Sequence, residues 1–377
     1  MKTDIKTYIA NHDEELLQLH RDLCRIPAPS HHEGLRAMFC KNRLEQMGAQ
    51  GVYIDEALNV ILPVNCEGSD EITVIAAHTD TVFPDMEPMP FAEDDEKIYC
   101  PGSGDDTASL AVLMMMAKYI VENQLAPETG ILIVCNSCEE GLGNLKGTRQ
   151  LMKDFAGRVK QFITFDSSIG HLYTHCVGSH RYQVQVKTEG GHSFGRFGNA
   201  NAIAELAKII AKIYEIKVPV IENSKTTYNV GIIEGGTSVN TIAQSASMLC
   251  EYRSDNVDCL EIMRQQFLQI FAEAASDKVE VIVEMVGERP CGIEPDPVKA
   301  MELIAICKEA TEMVTGNAVT CKSASTDCNI PLSMGIPAIC MGVFRGKGAH
   351  TREEWIEKAS LKEGLEIALN LVEMLVQ

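Results

Sequence analysis

The sequence places a histidine and an aspartate, His78 and Asp80, at the end of an apolar, strand-like run. Further potential metal ligands follow similar segments or glycine-rich turns: Asp105, Glu140, Asp166 and His350. Histidines combined with carboxylates, without thiolates, suit Zn²⁺, Co²⁺ or Mn²⁺. Two such ions about 3.5–4 Å apart need one bridging carboxylate and terminal ligands on each ion. Together, these residue types indicate a two-metal site with hydrolytic chemistry.

Asp105 is the natural bridging ligand because glycines in Gly102-Ser103-Gly104-Asp105-Asp106 let the backbone approach closely. Asp80, two residues beyond His78, is suited to accept the second imidazole N–H and fix the tautomer. Taken singly, each candidate has a simpler interpretation, such as a helix cap or a solvated acidic pair. Their joint occurrence favours the site.

Helix-like and strand-like segments alternate in the first part of the chain, which predicts a mostly parallel sheet covered by helices on both faces. Apolar spacing predicts helices at 3–24 and Ala108–Asn123. The predicted strands are Asn59–Val64, Ile72–Ala77, Ile131–Cys135 and Phe162–Phe165. Ligands bind beyond the carboxyl ends of strands in such sheets. Three candidate ligands follow these strands, and His350 follows another apolar run, Ile336–Met341.

The middle of the chain has a different pattern, which predicts the element order β-α-β-β-α-β of a small α+β unit. After Pro290 the first pattern resumes, with helices predicted at 297–315 and Leu361–Val376. We therefore expect a large α/β domain formed by residues 1–178 and 290–377, with residues 179–289 inserted as a second domain.

Composition excludes several classes of partner. The 377 residues include 33 basic and 53 acidic ones, a formal charge of −20, which argues against nucleic-acid or anionic-membrane binding. The most apolar stretch, Leu110–Ala117, is too short to span a bilayer. With a polar N-terminus and 14 cysteines, we expect no signal peptide, free thiols and a cytoplasmic location. Cys135-x-x-Cys138 lacks a second pair, so core cysteines are favoured over a zinc site.

Five segments resemble motifs of the M20 metallopeptidase family, and they occur in the family's order over essentially the whole chain. They are His78-Thr79-Asp80, Gly102-Ser103-Gly104-Asp105-Asp106, Glu139-Glu140-Gly141, Gly190-Gly191-His192-Ser193 and Gly348-Ala349-His350-Thr351. Within that family, the chain resembles the peptidase T-like tripeptidases. The resemblance implies that residues 179–289 are a lid and dimerisation domain, and hence a homodimer.

The resemblance implies a role for each metal ligand. One metal, most simply Zn²⁺ with Co²⁺ or Mn²⁺ as alternatives, would be held by His78 and Asp166. The second would be held by Glu140 and His350, with Asp105 bridging. Glu139 would be the general base for a water between the metals, since a nearby carboxylate must take the proton of that water.

On the substrate side, the resemblance makes His192 the residue that stabilises the oxyanion. Asn240, Arg253 and Ser325 resemble substrate-binding positions, and Arg253 would hold a carboxylate in a bidentate contact. A loop histidine and a solvated arginine are the simpler interpretations. Thr107 departs from the family, which often has lysine there, and this weakens the transfer of fine specificity.

The leading hypothesis is a hydrolase of short peptides, tripeptidase- or aminopeptidase-like, because by resemblance an aspartate at Asp166 goes with these members. The runner-up is an amidohydrolase that deacylates N-acyl amino acids, as aminoacylases and desuccinylases do. A non-catalytic binding relative is the third hypothesis. It is disfavoured because the base and all five ligands are present.

Overall fold

The computed structural model describes residues 4–376. The chain forms two compact units: Val177–Gly292 is one, and the segments before and after it form the other. The predicted insertion, 179–289, has nearly the same bounds. Its role as a lid and dimerisation domain stays a prediction.

Helices and strands occur along the whole described chain. The helices are α1 (Ile5–Cys24), α2 (Gly34–Gln46), α3 (Thr107–Glu122), α4 (Lys146–Asp154), α5 (Ala202–Tyr214), α6 (Val257–Ala274), α7 (Pro297–Thr315), α8 (Asn329–Ser333) and α9 (Lys358–Val376). The strands are β1 (Tyr53–Ile54), β2 (Val60–Val64), β3 (Ile72–His78), β4 (Ala92–Glu93), β5 (Lys97–Tyr99), β6 (Gly130–Asn136), β7 (Val159–Phe165), β8 (His171–Cys176), β9 (Gly178–Thr188), β10 (Gly191–His192), β11 (Thr226–Gly235), β12 (Thr241–Ile242), β13 (Ser245–Ser254), β14 (Val279–Arg289), β15 (Thr320–Ala324), β16 (Ala338–Met341), β17 (Gly346–Lys347) and β18 (Trp355–Glu357).

The larger unit is built on an eight-stranded mixed sheet of order β1-β2-β6-β3-β7-β16-β8-β15. Strands β6, β3, β7 and β16 run parallel to their neighbours within this group, and β8 pairs with β15 in parallel. The remaining pairs, including β16 with β8, are antiparallel. The predicted fold class, a mixed and mostly parallel sheet flanked by helices, is confirmed.

Helices cover both faces of this sheet, and successive residues of β3 enter opposite cores. Ile75 and Ala77 pack in the core that includes side chains of α1, α3, α7 and α9. Val74 and Ala76 pack in the second core, with side chains of α4 and α8. Burial on both faces explains why β3 is a continuous apolar run rather than an alternating one.

Several elements have no counterpart in the sequence predictions: α2, α4, α8, the strand β8, the edge strand β15, and a second sheet of order β17-β18-β5-β4. Strand β15 is exposed from Thr320 to Ser323, so it carries no apolar alternation. It is a strand only because it pairs with β8. This pairing joins residues about 150 positions apart, such as Thr320 and His171.

The smaller unit has the predicted order β-α-β-β-α-β in β9-α5-β11-β13-α6-β14, with the short β10–β12 pair between β9 and β13. Its four-stranded sheet, β11-β13-β9-β14, is antiparallel throughout. Side chains of α5 and α6 form a core with this sheet. At its centre, the fully buried ring of Phe267 lies 4.7 Å from that of Tyr252.

Phe267→Ala is expected to destabilise the smaller unit by about 3–5 kcal/mol, because truncating a buried aromatic ring loses apolar burial and leaves a cavity. Denaturant unfolding followed by circular dichroism measures this loss. Leu268→Ala, at the neighbouring exposed position, is the matched control and should change the free energy of unfolding by less than about 1 kcal/mol. Equal effects of the two substitutions would contradict the packing described here.

Two further findings bear on the composition. Among residues 4–376, no helix is long and apolar enough to cross a membrane.

All 14 cysteines are free thiols. Cys135 is buried in the β6 strand, whereas the Cys138 thiol lies 3.1 Å from Glu33 Oε1. Within the described chain, none of the groups that could hold a metal ion includes a cysteine.

Candidate metal centre

Asp105 lies between two histidines and directs one carboxylate oxygen toward each. Asp105 Oδ1 is 3.1 Å from His78 Nε2, and Asp105 Oδ2 is 3.0 Å from His350 Nε2. His350 Nε2 is also 3.1 Å from Glu140 Oε1. His78 is fully buried, whereas the His350 side chain is 55% exposed. One carboxylate is thus shared by two groups of potential ligands.

The topology explains why these side chains meet. His78 ends β3, Asp166 follows β7, and Glu140 lies four residues beyond β6. These three strands are adjacent and parallel, so their carboxyl ends lie at one edge of the sheet. His350 reaches the same place from the loop between β17 and β18, where its backbone is left-handed at φ 64°.

The arrangement fits two divalent cations. Three groups have potential ligand atoms within 4.8 Å of one another: His78 with Asp105 and Asp166, Asp105 with Glu140 and His350, and His78 with Glu139 and Glu140. Metal–nitrogen and metal–oxygen bonds of about 2.0–2.2 Å put tetrahedral ligands roughly 3.3–3.6 Å apart. The 3.0–3.1 Å separations around Asp105 are close to that spacing. Imidazole and carboxylate donors suit Zn²⁺, Co²⁺ and Mn²⁺.

The cluster concentrates negative charge in a buried place. Burial, followed by the charges of Asp105 and Asp106, raises the pKa of Asp166 well above its usual value. Burial and the charge of Asp105 raise the pKa of Glu140. Hydrogen bonds to Asp105 and Glu140 raise the pKa of His350 to about 10. Carboxylates held this close repel one another, and a positive ion between them would relieve that repulsion.

Asp80 contacts both sides of the site. His78 Nδ1 is 3.0 Å from the backbone oxygen of Asp80 and 3.4 Å from its carboxylate. The carboxylate also accepts the backbone N–H groups of Glu139 and Glu140, each at 2.9 Å. Ser30 Oγ donates to it at 2.6 Å. Asp80 thus ties the His78 strand end to the segment that carries Glu139.

Four successive backbone N–H groups, at 137–140, donate to side-chain oxygens. The first two bind Asn59 Oδ1 at 3.1 Å and Glu33 Oε1 at 3.0 Å, and the last two bind Asp80. Glu33 and Asn59 are fully buried. Sequence reasoning missed both, because each acts on a segment about 80–105 positions away. This arrangement holds the backbone of Glu139 and Glu140 in one conformation.

Sequence reasoning also missed Arg36. The buried guanidinium of Arg36 donates to the backbone oxygen of Thr79 at 3.0 Å, between His78 and Asp80. It also lies 3.4 Å from Thr107 Oγ1, the position that departs from the family pattern. The threonine hydroxyl therefore accepts a hydrogen bond from the group that supports the His78 strand end.

Glu354 holds the loop of the shared ligand. Its carboxylate accepts the backbone N–H groups of Gly102, Gly104 and Asp105 at 2.5, 3.0 and 2.9 Å. Burial raises its pKa to about 7. Gly104 has no room for a side chain, since a Cβ there would lie 2.9 Å from Glu354 Oε1. In the sequence, the only feature that could have indicated Glu354 was an acidic residue four positions after His350.

Glu354→Gln is expected to lower the free energy of unfolding by about 1–3 kcal/mol, because an amide offers one acceptor oxygen where the carboxylate satisfies three donors. Denaturant unfolding of the metal-free protein measures the change. The exposed neighbour provides the control, Glu353→Gln, which should have an effect of less than about 0.5 kcal/mol. A Glu354→Gln protein as stable as this control would show that the loop does not depend on the carboxylate.

The predicted residues of the smaller unit lie at two places within it. His192 is exposed on β10, which pairs with β12, and Ser193 N donates to Asn240 O at 2.9 Å. His192 and Asn240 are therefore close neighbours. Arg253 lies on β13, and its guanidinium binds Glu251 through two contacts of 2.8 and 3.0 Å. The carboxylate expected from a substrate is supplied here by the chain itself.

Ser325 belongs to the larger unit, where it is half-buried between β15 and α8. Its neighbour Asp327 is fully buried and accepts a hydrogen bond from Asn136 Nδ2 at 2.6 Å. Asn136 is the last residue of β6. The segment around Ser325 is thereby linked to the strand that leads to Glu140, and the role of Ser325 in substrate binding stays a prediction.

The histidine–carboxylate cluster at the strand ends of this fold is the arrangement expected of a metallopeptidase. Residues 74–374 match the model of peptidase family M20/M25/M40, and because this is most of the chain, the protein belongs to that family. The resemblance to M20 peptidases is thus confirmed.

The relatives of this chain are named for different activities. A succinyl-diaminopimelate desuccinylase from Corynebacterium glutamicum is 24% identical over 349 residues, 89% of this chain and 90% of that protein. A tripeptidase from Staphylococcus aureus, known from its crystal structure, has 22% sequence identity to this chain. The two structures superpose with a TM-score of 0.77 over 97% of this chain and 98% of that one. Aminopeptidase PepT from Bacillus cereus has 20% sequence identity to this chain. Its crystal structure superposes with a TM-score of 0.73 over 97% of this chain and 99% of that one. These structures share the fold of this chain.

Proposed function

We propose that this protein is a two-metal hydrolase that cleaves peptide bonds of short peptides, in the manner of a tripeptidase or aminopeptidase. The observation that carries the proposal is Asp105, whose two oxygens lie 3.1 and 3.0 Å from His78 and His350. A carboxylate shared in this way suits two metal ions held close together.

We assign His78 and Asp166 to one ion, Glu140 and His350 to the other, and Asp105 to both. When bound, the two cations would polarise the scissile carbonyl and lower the pKa of a water held between them. Zinc is the proposed metal, with cobalt or manganese as alternatives that the same donors accept. The buried carboxylates and the hydrogen-bonded loops support this assignment.

Glu139 is the proposed general base. It is 5% exposed, and its carboxylate shares a group of closely spaced oxygens and nitrogens with His78 and Glu140. It takes a proton from the attacking water and passes it to the leaving amine. The hydrogen bonds from Glu139 N and Glu140 N to Asp80 orient the segment that carries it.

The smaller unit supplies the proposed substrate contacts. His192 donates a hydrogen bond to the developing oxyanion, and Asn240 and Arg253 bind the substrate, with Ser325 contributing from the larger unit. For Arg253 this requires exchange of its Glu251 contact for a substrate carboxylate. We also propose that Val177–Gly292 is a lid and that it forms a homodimer interface.

The second candidate function is deacylation of N-acyl amino acids by the same residues. The desuccinylase from Corynebacterium glutamicum favours it, because the similarity extends over 89% of this chain. Amide cleavage in an N-acyl amino acid and in a peptide needs the same base and the same carbonyl polarisation. The two candidates therefore differ in substrate contacts rather than in chemistry.

A substrate panel with protein loaded with Zn²⁺, Co²⁺ or Mn²⁺ tests the proposal. It contains tripeptides, dipeptides, and N-acetyl and N-succinyl amino acids. We expect the largest kcat/KM with tripeptides or dipeptides. Hydrolysis of the acylated amino acids alone would establish the second candidate instead. No hydrolysis of any member by protein with two bound metals would favour the non-catalytic binding relative.

A further inference from the structure

We propose that a cleft beside the metal centre is a specificity subsite that takes one uncharged apolar side chain from a residue adjoining the scissile bond. The inference deepens the proposed function and rests on it. The cleft has a volume of about 370 Å³ and is formed by three loops of the larger unit, at 29–32, 81–86 and 140–143. Binding clefts for small molecules have volumes of about 300–1,000 Å³.

The position of the cleft connects it to the chemistry. The loop 81–86 follows His78 and Asp80, and the loop 140–143 begins at Glu140, which lines the cleft and belongs to the metal-ligand cluster. Ser30, on the third loop, donates its hydroxyl to Asp80. A carbonyl held at the cluster would therefore have a neighbouring side chain at the mouth of this cleft.

The lining determines the chemistry of the occupant. Val82, Leu142 and Met86 are 38%, 51% and 60% exposed, and they line the cleft together with the largely buried ring of Phe83. Clustered exposed apolar side chains on a folded protein mark a binding surface. Glu140 is the only acidic residue of the lining, whose other polar side chains are Ser30, His31, His32 and Thr81. Since it is assigned to a metal, no carboxylate remains to pair with a cationic side chain.

Contacts behind the lining hold two of the loops in place. The Arg352 guanidinium lies 4.8 Å from the Phe83 ring centre and binds Asp85 at 2.6 Å, so the loop 81–86 is attached to the segment after His350. His31 has a left-handed backbone at φ 72°, and its N–H donates to Glu33 at 3.0 Å. A pre-organised wall loses less freedom when a side chain binds.

Equilibrium binding of amino-acid hydroxamates to zinc-loaded protein tests the subsite without turnover. The hydroxamate binds the metals, and the side chain is left to sample the cleft. We expect leucine hydroxamate to bind about 10–100-fold more tightly than glycine hydroxamate in calorimetric titrations. Leu142→Asp and Met86→Asp should reduce that ratio to about threefold or less, because a charged carboxylate disfavours apolar contact.

Leu35→Asp is the matched control, since Leu35 is an exposed leucine of the larger unit that does not line the cleft. It should keep the wild-type ratio. Equal affinity of the two hydroxamates for the wild-type protein, or an unchanged ratio in both cleft variants, would overturn the subsite.

The kcat/KM values of peptides varied on each side of the scissile bond separate this inference from the proposed function. Peptide hydrolysis with a preference for leucine over lysine and aspartate on one side supports both. Hydrolysis with no such preference on either side overturns the subsite alone. If no peptide is hydrolysed, the proposed function fails, and the hydroxamate ratios still decide the subsite.

Discussion

Replacing Glu139 with glutamine is expected to lower kcat for the best peptide substrate by about 10²–10⁴-fold while both metals stay bound. The amide has nearly the shape of the carboxylate but cannot accept the proton of the attacking water. The backbone of this segment is held by Asp80 and Glu33, so the substitution should leave Glu140 in place. Steady-state kinetics and metal content, measured on the same preparation, check both parts.

The adjacent glutamate provides the contrast. Glu140→Gln should remove one metal ligand and therefore reduce metal content as well as kcat. If Glu139→Gln kept near-normal turnover, Glu139 would not be the base. If it lost metal to the same extent as Glu140→Gln, its role would be that of a ligand, consistent with its place in the group with His78 and Glu140.

Replacing Asp105 with asparagine is expected to abolish high-affinity binding of both metals. The change removes the negative charge that the His78 group and the His350 group of ligands share. Each Asp105 oxygen lies about as far from one of these histidines as two ligands of the same metal lie from each other. Metal content after dialysis should fall from two per chain toward zero, and activity should fall by at least about 10³-fold.

Terminal ligands should behave differently. His350→Ala removes a ligand from one group only and should leave about one metal per chain. Asp95→Asn, at an exposed position of the larger unit, should keep two. The shared role of Asp105 would be contradicted if Asp105→Asn retained one metal with unchanged affinity, because a terminal ligand would give that result.

The strands that carry the ligands were predictable because their physical signal is local. β3 and β6 are buried along their whole length, so each is a continuous apolar run in the sequence. A strand of this kind must lie in the interior of a sheet, and its carboxyl end is where ligands bind. That reasoning gave His78 and Glu140 as neighbours before any distance was known.

The supporting residues were not predictable from local patterns. Glu354 accepts N–H groups about 250 positions earlier in the chain, and Glu33 and Asn59 act on the segment before Glu140. The sequence does not distinguish a buried carboxylate from an exposed one, because the residue type is the same. Only their surroundings differ, and those come from elements distant in the chain. The exposed edge strand β15 was missed for a related reason, since its partner β8 alone defines it.

By itself, the sequence determined the kinds of donor atoms, the strand ends that present them and the alternation that builds the large sheet, because each depends on the residue types and spacing of one segment. The sequence also indicated Asp105 as the shared ligand, but tertiary structure decided its geometry, because separate loops had to converge at one edge of the sheet to put its two oxygens 3.1 and 3.0 Å from His78 and His350. Tertiary structure also decided that the Asp80 carboxylate accepts the N–H groups of Glu139 and Glu140 in addition to contacting the His78 imidazole. The cleft at 29–32, 81–86 and 140–143 exists for the same reason, since three loops distant in sequence form it.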